Sequence, residues 1–453
     1  MFASMLCMLR VRGVLLFLKC TAWKLNLVKW VAVMLLLMLL PANVLAERVY
    51  LAGYKGGFYI RSEEEGGMDL RLGGSFWVDY RGYAESQRAD NRFDIRRARL
   101  IFNGQLTRWF RYGLEYEFQG NVTNHILDAY GEFTPTEVQA ARVGQFKEPF
   151  SLEWLSPDKA QWFAERSMGN SLTPGRDIGL MYYGSLYRDS VNYGVGLFNG
   201  DGIDGSTRGS NHDSPEIAGR IAIKPFGAAS TEALRNLQVG ASASYAAIDT
   251  ANIDLKVKST GMIGLPLNVY VLSHDTKFGV LQDVDTRTRG GLEAAWINRS
   301  FAITSEYLRL KYSDLETAER APADADFSSW YVSMAYCLTG EDFSLAGGVV
   351  NPISPARFFN PEEKTYGALV LAARYEHFSG DKDWITQGAN VSVRDADAIS
   401  TCATWILFPM LRIIADYTYT DLSDPIRTRV NTNGSIDYIV RENVITLRLS
   451  MDL

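Results

Sequence analysis

The C-terminal stretch alternates strictly between apolar and polar positions. Ile445, Leu447, Leu449, Met451 and Leu453 fall on one parity, and Val444, Thr446, Arg448, Ser450 and Asp452 on the other. A strand turns successive side chains to opposite faces, so one face is uniformly apolar and the other largely polar. Earlier stretches repeat the pattern. In 411–420, Leu411, Ile413, Ala415, Tyr417 and Tyr419 oppose Arg412, Ile414, Asp416, Thr418 and Thr420. In 368–376, Leu369, Leu371, Ala373 and Tyr375 oppose Val370, Ala372, Arg374 and Glu376. In 218–224, Gly219, Ile221 and Ile223 oppose Ala218, Arg220, Ala222 and Lys224.

The spacing predicts short links at Asn298-Arg299-Ser300, at Thr339-Gly340 and around Pro409. It predicts long polar connections near 201–215, 313–326, 380–397 and 421–437. Short turns at one end and long loops at the other are the signature of a transmembrane β-barrel. Open sheet edges cannot face lipid, so the sheet must close. At roughly 25 residues per strand and connection, 47–453 accommodates about 16 antiparallel strands. No linker or internal repeat divides this segment.

The first 46 residues differ. Arg10, Arg12, Lys19, Lys24 and Lys29 precede the apolar run VAVMLLLMLL at 31–40 and a small residue at Ala46, with no acid among them. A basic region, a short apolar run and a small residue at the end read as an export signal peptide. The run falls short of the roughly 20 apolar residues that a helix needs to cross a membrane. Without the five basic residues of this leader, 41 of the 46 Lys and Arg remain against 52 Asp and Glu, a formal charge of −11. That balance disfavours a nucleic-acid partner, whose footprint is basic. Cys337 and Cys402 both fall in strand-like stretches, so no disulfide framework is expected. No Cys/His cluster has metal-ligand spacing, and no cofactor is indicated.

Parity also places charge. If Leu100 and Phe102 face lipid, Arg97, Arg99 and Asn103 face the lumen; Arg96 falls on the outer parity unless the strand bulges there. The same parity puts Arg220, Arg374, Arg412 and Arg448 inside. These form either an inward ladder or simple pairs with lumenal acids such as Glu293, Glu306 and Asp416. A guanidinium is a planar fork of donors that matches phosphate oxygens bidentately.

The stretch GQFKEPFSLEWLSPDKAQWFAERS, at 144–167, interrupts the strands. Ser156-Pro157-Asp158 predicts a helix start: an N-cap, Pro at the first helical position and an acid in the first turn. Lys159, Trp162, Phe163 and Arg166 would then share one helical face. Asp158 and Glu165 would lie on the neighbouring face, placed to pair with the two cations. On spacing alone a solvated amphipathic turn is the better explanation. Glu148 and Glu153, across Pro149, are candidate paired carboxylates, but their spacing is not specific. None of the four His lies in a nucleophile motif, so an enzyme is not expected.

Longer motifs carry a resemblance. RLGG (71–74), DIRRARLIFNGQL (94–106), YGLEYEFQG (112–120), DAYGEF (128–133), VGQFKEPFSLE (143–153), ERS (165–167) and TPGRDIGL (173–180) resemble the phosphate-selective porin O and P family. LAARYEHF (371–378), TWILFPMLRIIADYTYTD (404–421) and the last strand do so as well. The resemblance implies an outer-membrane barrel of a Gram-negative bacterium, usually a homotrimer, passing phosphate or related anions such as pyrophosphate or polyphosphate. It implies that residues from about 148 to 177 fold inward as the constriction. It assigns the constriction cations to Lys159 and Arg166 and the paired strand arginines to Arg96 and Arg97; Arg99, Lys147 and Arg176 lie in matching motifs. The chain departs from the family at Pro157-Asp158, where small residues are usual. It departs also at Ile101 and Asn103, where acids are common, and at the terminal Leu453. A porin of the same fold with another or general specificity is the alternative, followed by an outer-membrane enzyme or an adhesive or structural barrel.

Overall fold

The computed structural model describes residues 9–11, 14–16, 50–54, 57–64, 66–84, 91–120, 125–203, 215–229, 231–248, 250, 253–262, 268–385, 392–430 and 434–453. The chain divides into two units, 1–50 and 51–453. In the first, Leu9–Val11 pairs antiparallel with Val14–Leu16; the apolar run at 31–40 lies outside the described residues.

The second unit is a closed antiparallel barrel with strands in sequence order. Among the described residues, sixteen strands make the wall. The first eight are β1 (Asp69–Tyr83), β2 (Arg92–Thr107), β3 (Phe110–Glu117), β4 (Ile126–Thr136), β5 (Gln139–Lys147), β6 (Arg176–Leu186), β7 (Val191–Phe198) and β8 (Glu216–Ile223). The second eight are β9 (Leu237–Ala247), β10 (Gly279–Asn298), β11 (Phe301–Thr317), β12 (Arg320–Cys337), β13 (Ala368–Ser379), β14 (Asp395–Phe408), β15 (Leu411–Val430) and β16 (Ile436–Asp452). β16 closes on β1, from Val444 opposite Tyr83 to Asp452 opposite Ser75. Closure pairs the backbone groups that an open edge would leave bare.

The two faces are inverted relative to a soluble sheet. On β16, Ile445 is 51% exposed and Leu447 46%, whereas Val444 is 1% exposed and Arg448 2%. The apolar parity points outward on β13 and β15 too, where Leu371, Ile413 and Tyr417 are exposed and Arg374, Arg412 and Asp416 buried. Water would drive the reverse arrangement; a lipid surround requires this one. No helix among the described residues is long and apolar enough to cross a membrane. On β2 the register slips: Arg97 faces Trp77, and Ile95 faces Val78. Arg96 is therefore an extra residue, and this bulge turns it inward beside Arg97.

The turn after Asn298 and the turn around Pro409 are tight, as the spacing predicts. Three connections differ. The polar stretches 313–326 and 421–437 largely continue the strands, so β11 and β12 meet at a tight turn after Thr317 and β15 runs to Val430. Thr339-Gly340 opens no short link: residues 338–367 fold into the barrel from the short-turn end. Their Phe343 packs on Trp162 at 5.5 Å, and inward-facing Arg220 donates to Gly348 O (2.6 Å). From the other end, the hairpin Asp254–Lys258/Asn268–Ser273 folds in, with Tyr270 wholly buried against Phe327 and Phe378. Cys337 and Cys402 are buried and form no disulfide, in β12 and β14.

Candidate functional site

Residues 148–175, between β5 and β6, fold inward. Ser151 holds a left-handed φ of 64° and starts the single helical turn α1 (Leu152–Leu155), with its Oγ accepting from Trp154 N–H (3.1 Å). Opposite, the β11 carboxylate Glu306 accepts from Leu152 N–H (2.6 Å), Glu153 N–H (2.9 Å), Ser151 Oγ (3.2 Å) and Tyr331 OH (2.9 Å). A wall acid thus meets the free N–H groups and positive end of the turn.

The helix expected from Ser156 does not form. Ser156 ends α1, donating its Oγ–H to Leu152 O (2.7 Å). One 3₁₀ turn, Asp158–Ala160, follows, and the chain then bends away. Lys159, Trp162, Phe163 and Arg166 share no helical face. Trp162 and Phe163 are buried against the wall and the 338–367 segment, not between the two cations.

Wall side chains set this irregular path. Asp416 accepts from Ala164 N–H (3.1 Å) and Glu376 from Met168 N–H (2.6 Å). Arg412 donates to Lys159 O (2.7 Å), Arg374 to Glu165 O (3.2 Å), and Arg448 to Ala164 O. Arg220 instead pairs with Glu293 (2.6 Å) on the neighbouring wall. Of the three lumenal acids considered as counterions, Glu293 is one; Glu306 and Asp416 chiefly hold loop backbone. Glu148 and Glu153 form no pair: Glu153 accepts from Ser167 Oγ (2.6 Å) and Arg374 (3.3 Å), while Glu148 is buried near Glu216, Arg287 and Arg289.

The charges gather on two loop carboxylates. Asp158 accepts from Arg166 (2.7 Å), Arg99 (3.2 Å) and Arg97. Glu165 accepts from Arg81 (2.6 Å), Arg96 (2.8 Å) and Arg448 (2.8 Å). Burial alone would raise both carboxyls. Arg97, Arg166, Lys147 and Arg99 outweigh it at Asp158, and Arg96, Arg448 and Arg81 at Glu165, so both stay well below the usual carboxylate range. Asp79 adds a third acid, bridging Arg448 (2.7 Å) and Arg81 (2.9 Å).

Between the loop and β1, β2, β15 and β16 lies a cavity of about 80 Å³. Arg96, Arg97, Arg166, Arg412 and Arg448 line it with Asp158 and Glu165, five cations against two anions. Trp77 floors it, with the Arg97 guanidinium 3.8 Å and the Arg448 guanidinium 4.7 Å from its ring. Lys159 faces elsewhere. It donates to Asp452 O (3.2 Å) and lines a cavity of about 530 Å³ with Arg61, Arg71 and Asn103, toward the short-turn end. Lys147 donates to Trp154 O (2.6 Å), and Lys147, Arg166 and Arg176 surround the Trp154 ring at 4.7, 5.4 and 5.5 Å. Arg176 pairs with Asp128 (2.8 Å).

A model of the family described as phosphate-selective porin O and P matches residues 70–452. The chain belongs to that family. It is an outer-membrane porin. Among curated protein sequences, none matches. Solved structures of similar fold include an anion-selective porin from Comamonas acidovorans, at 11% identity and TM-score 0.49 over 85% of this chain and 99% of that one. They include also OmpT of Vibrio cholerae, at 12% and 0.49 over 86% and 99%. A third is the outer membrane channel DcaP of Acinetobacter baumannii, at 13% and 0.49 over 89% and 100%.

In this porin, two cavity neighbours escaped the sequence reading: Trp77 and Arg81. Both share the inward parity of β1 with Asp79 and Tyr83, so alternation alone places them. On β3, Glu115 (2.6 Å) and Glu117 (2.7 Å) bind Arg99.

Proposed function

We propose that this porin is a passive, anion-selective channel whose solute is phosphate or a related phosphoryl anion. The observation that carries the reading is the arginine-lined cavity beside the inward loop. Guanidinium forks offer bidentate donors to phosphoryl oxygens, and Arg96, Arg97, Arg166, Arg412 and Arg448 converge there. Arg99 and then Lys159 continue the basic track toward the short-turn end. Binding at successive stations lets an anion enter and still leave. Arg374, Arg412 and Arg448 also hold loop carbonyls, so they shape the passage as well as charge it. Arg220, Lys147 and Arg176 act through neighbours and not in the cavity. Residues 1–46 serve as the export signal, and the functional unit is a homotrimer, as the family resemblance implies.

A porin of the same fold with another specificity is the second reading. The observation favouring it is that Asp158, Glu165 and Asp79 already satisfy most of these cations. Reversal potentials of the purified channel in a planar bilayer, under a potassium chloride gradient, separate the two. The anion channel prefers chloride, and added phosphate blocks that current. Preference for potassium with no response to phosphate overturns the first reading.

A further inference from the structure

We propose that Asp158 is a tethered competing anion, which occupies the seat of a permeating phosphate and sets how tightly that phosphate binds. This rests on the anion-channel reading above.

Arg97, Arg99 and Arg166 come from two separate parts of the chain and converge on one carboxylate. That is how a protein holds a bound oxyanion. The occupant here belongs to the protein. Glu165 is seated similarly, but its side chain is 8% exposed and two of its three arginines, Arg81 and Arg448, are 3% and 1% exposed. Asp158 is 20% exposed, and its partners Arg97, Arg99 and Arg166 are 7%, 12% and 14% exposed. Asp158 is therefore the displaceable carboxylate and Glu165 the fixed one.

Arg97 supplies the second observation. Among the described residues Asp158 is its hydrogen-bond partner, and its Nε is buried with none. The Trp77 face beneath it cannot accept in-plane donors. Arg97 thus retains donor capacity that Asp158 does not use, beside a cavity that holds Asp158 at its edge. An incoming phosphate takes those donors as the carboxylate swings aside.

A seat filled by its own carboxylate most of the time weakens apparent binding by the fraction left vacant. Weaker binding with rapid release favours throughput over retention.

The test is phosphate block of chloride current through the purified channel in planar bilayers, for the unmodified protein and for Asp158→Asn and Asp158→Ser. Both variants keep a short polar side chain, and either alone suffices. If Asp158 fills the seat about nine-tenths of the time, the half-blocking concentration falls about tenfold in the variants. In the unmodified channel, block is fast unresolved flicker; in the variants it becomes discrete closures. An unchanged or higher half-blocking concentration in an anion-selective variant overturns the inference and leaves the anion channel intact. Discrete closures in the unmodified channel also overturn it. Preference for potassium in all three channels removes the anion channel itself, and this inference with it.

Discussion

Asp158 and Glu165 each gather three guanidinium groups, and each is worth more as a hub than as a pair. Removing one member of a buried ion cluster leaves the others uncompensated, which costs more than the pair contributed. Arg448 and Asp79 are 1% and 0% exposed and 2.7 Å apart. Arg448→Gln therefore destabilises the β16–β1 seam by about 3–5 kcal/mol, read as a lower melting temperature of the sheet signal in detergent. Arg97, Arg166, Lys147 and Arg99 outweigh burial and hold the Asp158 carboxyl well below the ordinary range. A depressed group stays charged down to its folded value, whereas its contribution to stability is whole above the ordinary carboxylate value and is lost progressively as pH falls from there through the folded value. An ordinary carboxylate is about half protonated near pH 4. The difference in reversal potential between the unmodified channel and Asp158→Asn should thus be as large at about pH 4 as at about pH 7. A difference that vanishes by pH 4 shows that Asp158 titrates normally. At this scale the period of two was informative, because it sorts every wall side chain in or out. It placed Arg97, Arg99, Arg374, Arg412 and Arg448 inside, and named a bulge as the condition for Arg96. It could not name their partners, because Asp158 and Glu165 lie on a segment with no period.

The inward loop forms only short helical turns, at Leu152–Leu155, Asp158–Ala160 and Met168–Leu172, and the wall supplies partners for much of the rest. Glu306, Glu376 and Asp416 accept its N–H groups, and Arg374, Arg412 and Arg448 donate to its carbonyls. A buried backbone needs such partners. Glu306 does most, meeting two N–H groups and two hydroxyls. Glu306→Gln puts an amide donor among those donors and costs about 1–3 kcal/mol for each bond left unmade. The barrel closes without that loop turn, so its melting temperature should move little. The expected change is in the open channel: noisier current and a wider spread of conductance levels. A quiet trace of unaltered conductance would show that Glu306 does not hold the loop. These anchors also explain why the helix at Ser156 failed. Ser-Pro-Asp starts a 3₁₀ turn as well as a longer helix. The choice was made by Arg412 at Lys159 and Asp416 at Ala164, each about 250 residues away in the chain. Local spacing carries no trace of such distant partners.

Across the whole barrel the filling is lopsided. The hairpin Asp254–Lys258/Asn268–Ser273 and the inward loop pack apolar side chains against β10–β16, including Tyr270, Phe327, Phe378 and Met168. Residues 338–367 do the same beneath, with Phe343, Leu345 and Val350 beside Trp162, Cys337 and Ile406. The arginine-lined cavity sits at the closing seam, between β1–β2 on one side and β15–β16 on the other. The wall was legible in alternation because lipid constrains every strand alike. The second and third infolded segments were not, because a polar connection outside the barrel and one inside it have similar composition. The 338–367 segment then has a job beyond closing a turn: it supports the inward loop from below, through Phe343 on Trp162 and Val350 N–H on Ser156 Oγ (3.2 Å). Phe343→Ala tests this. Removing a buried aromatic ring costs about 3–5 kcal/mol where the site cannot collapse. Here the loss falls on a filling and not on the hydrogen-bonded wall, so it should appear as function before it appears as unfolding. Single-channel conductance should rise as water enters beneath Trp162, and anion preference should fall as part of the current bypasses the arginines. Closed-barrel content by circular dichroism should stay the same. If conductance and reversal potential both match the unmodified channel, the segment fills space without supporting the loop, and the loop's position rests on the wall carboxylates and arginines.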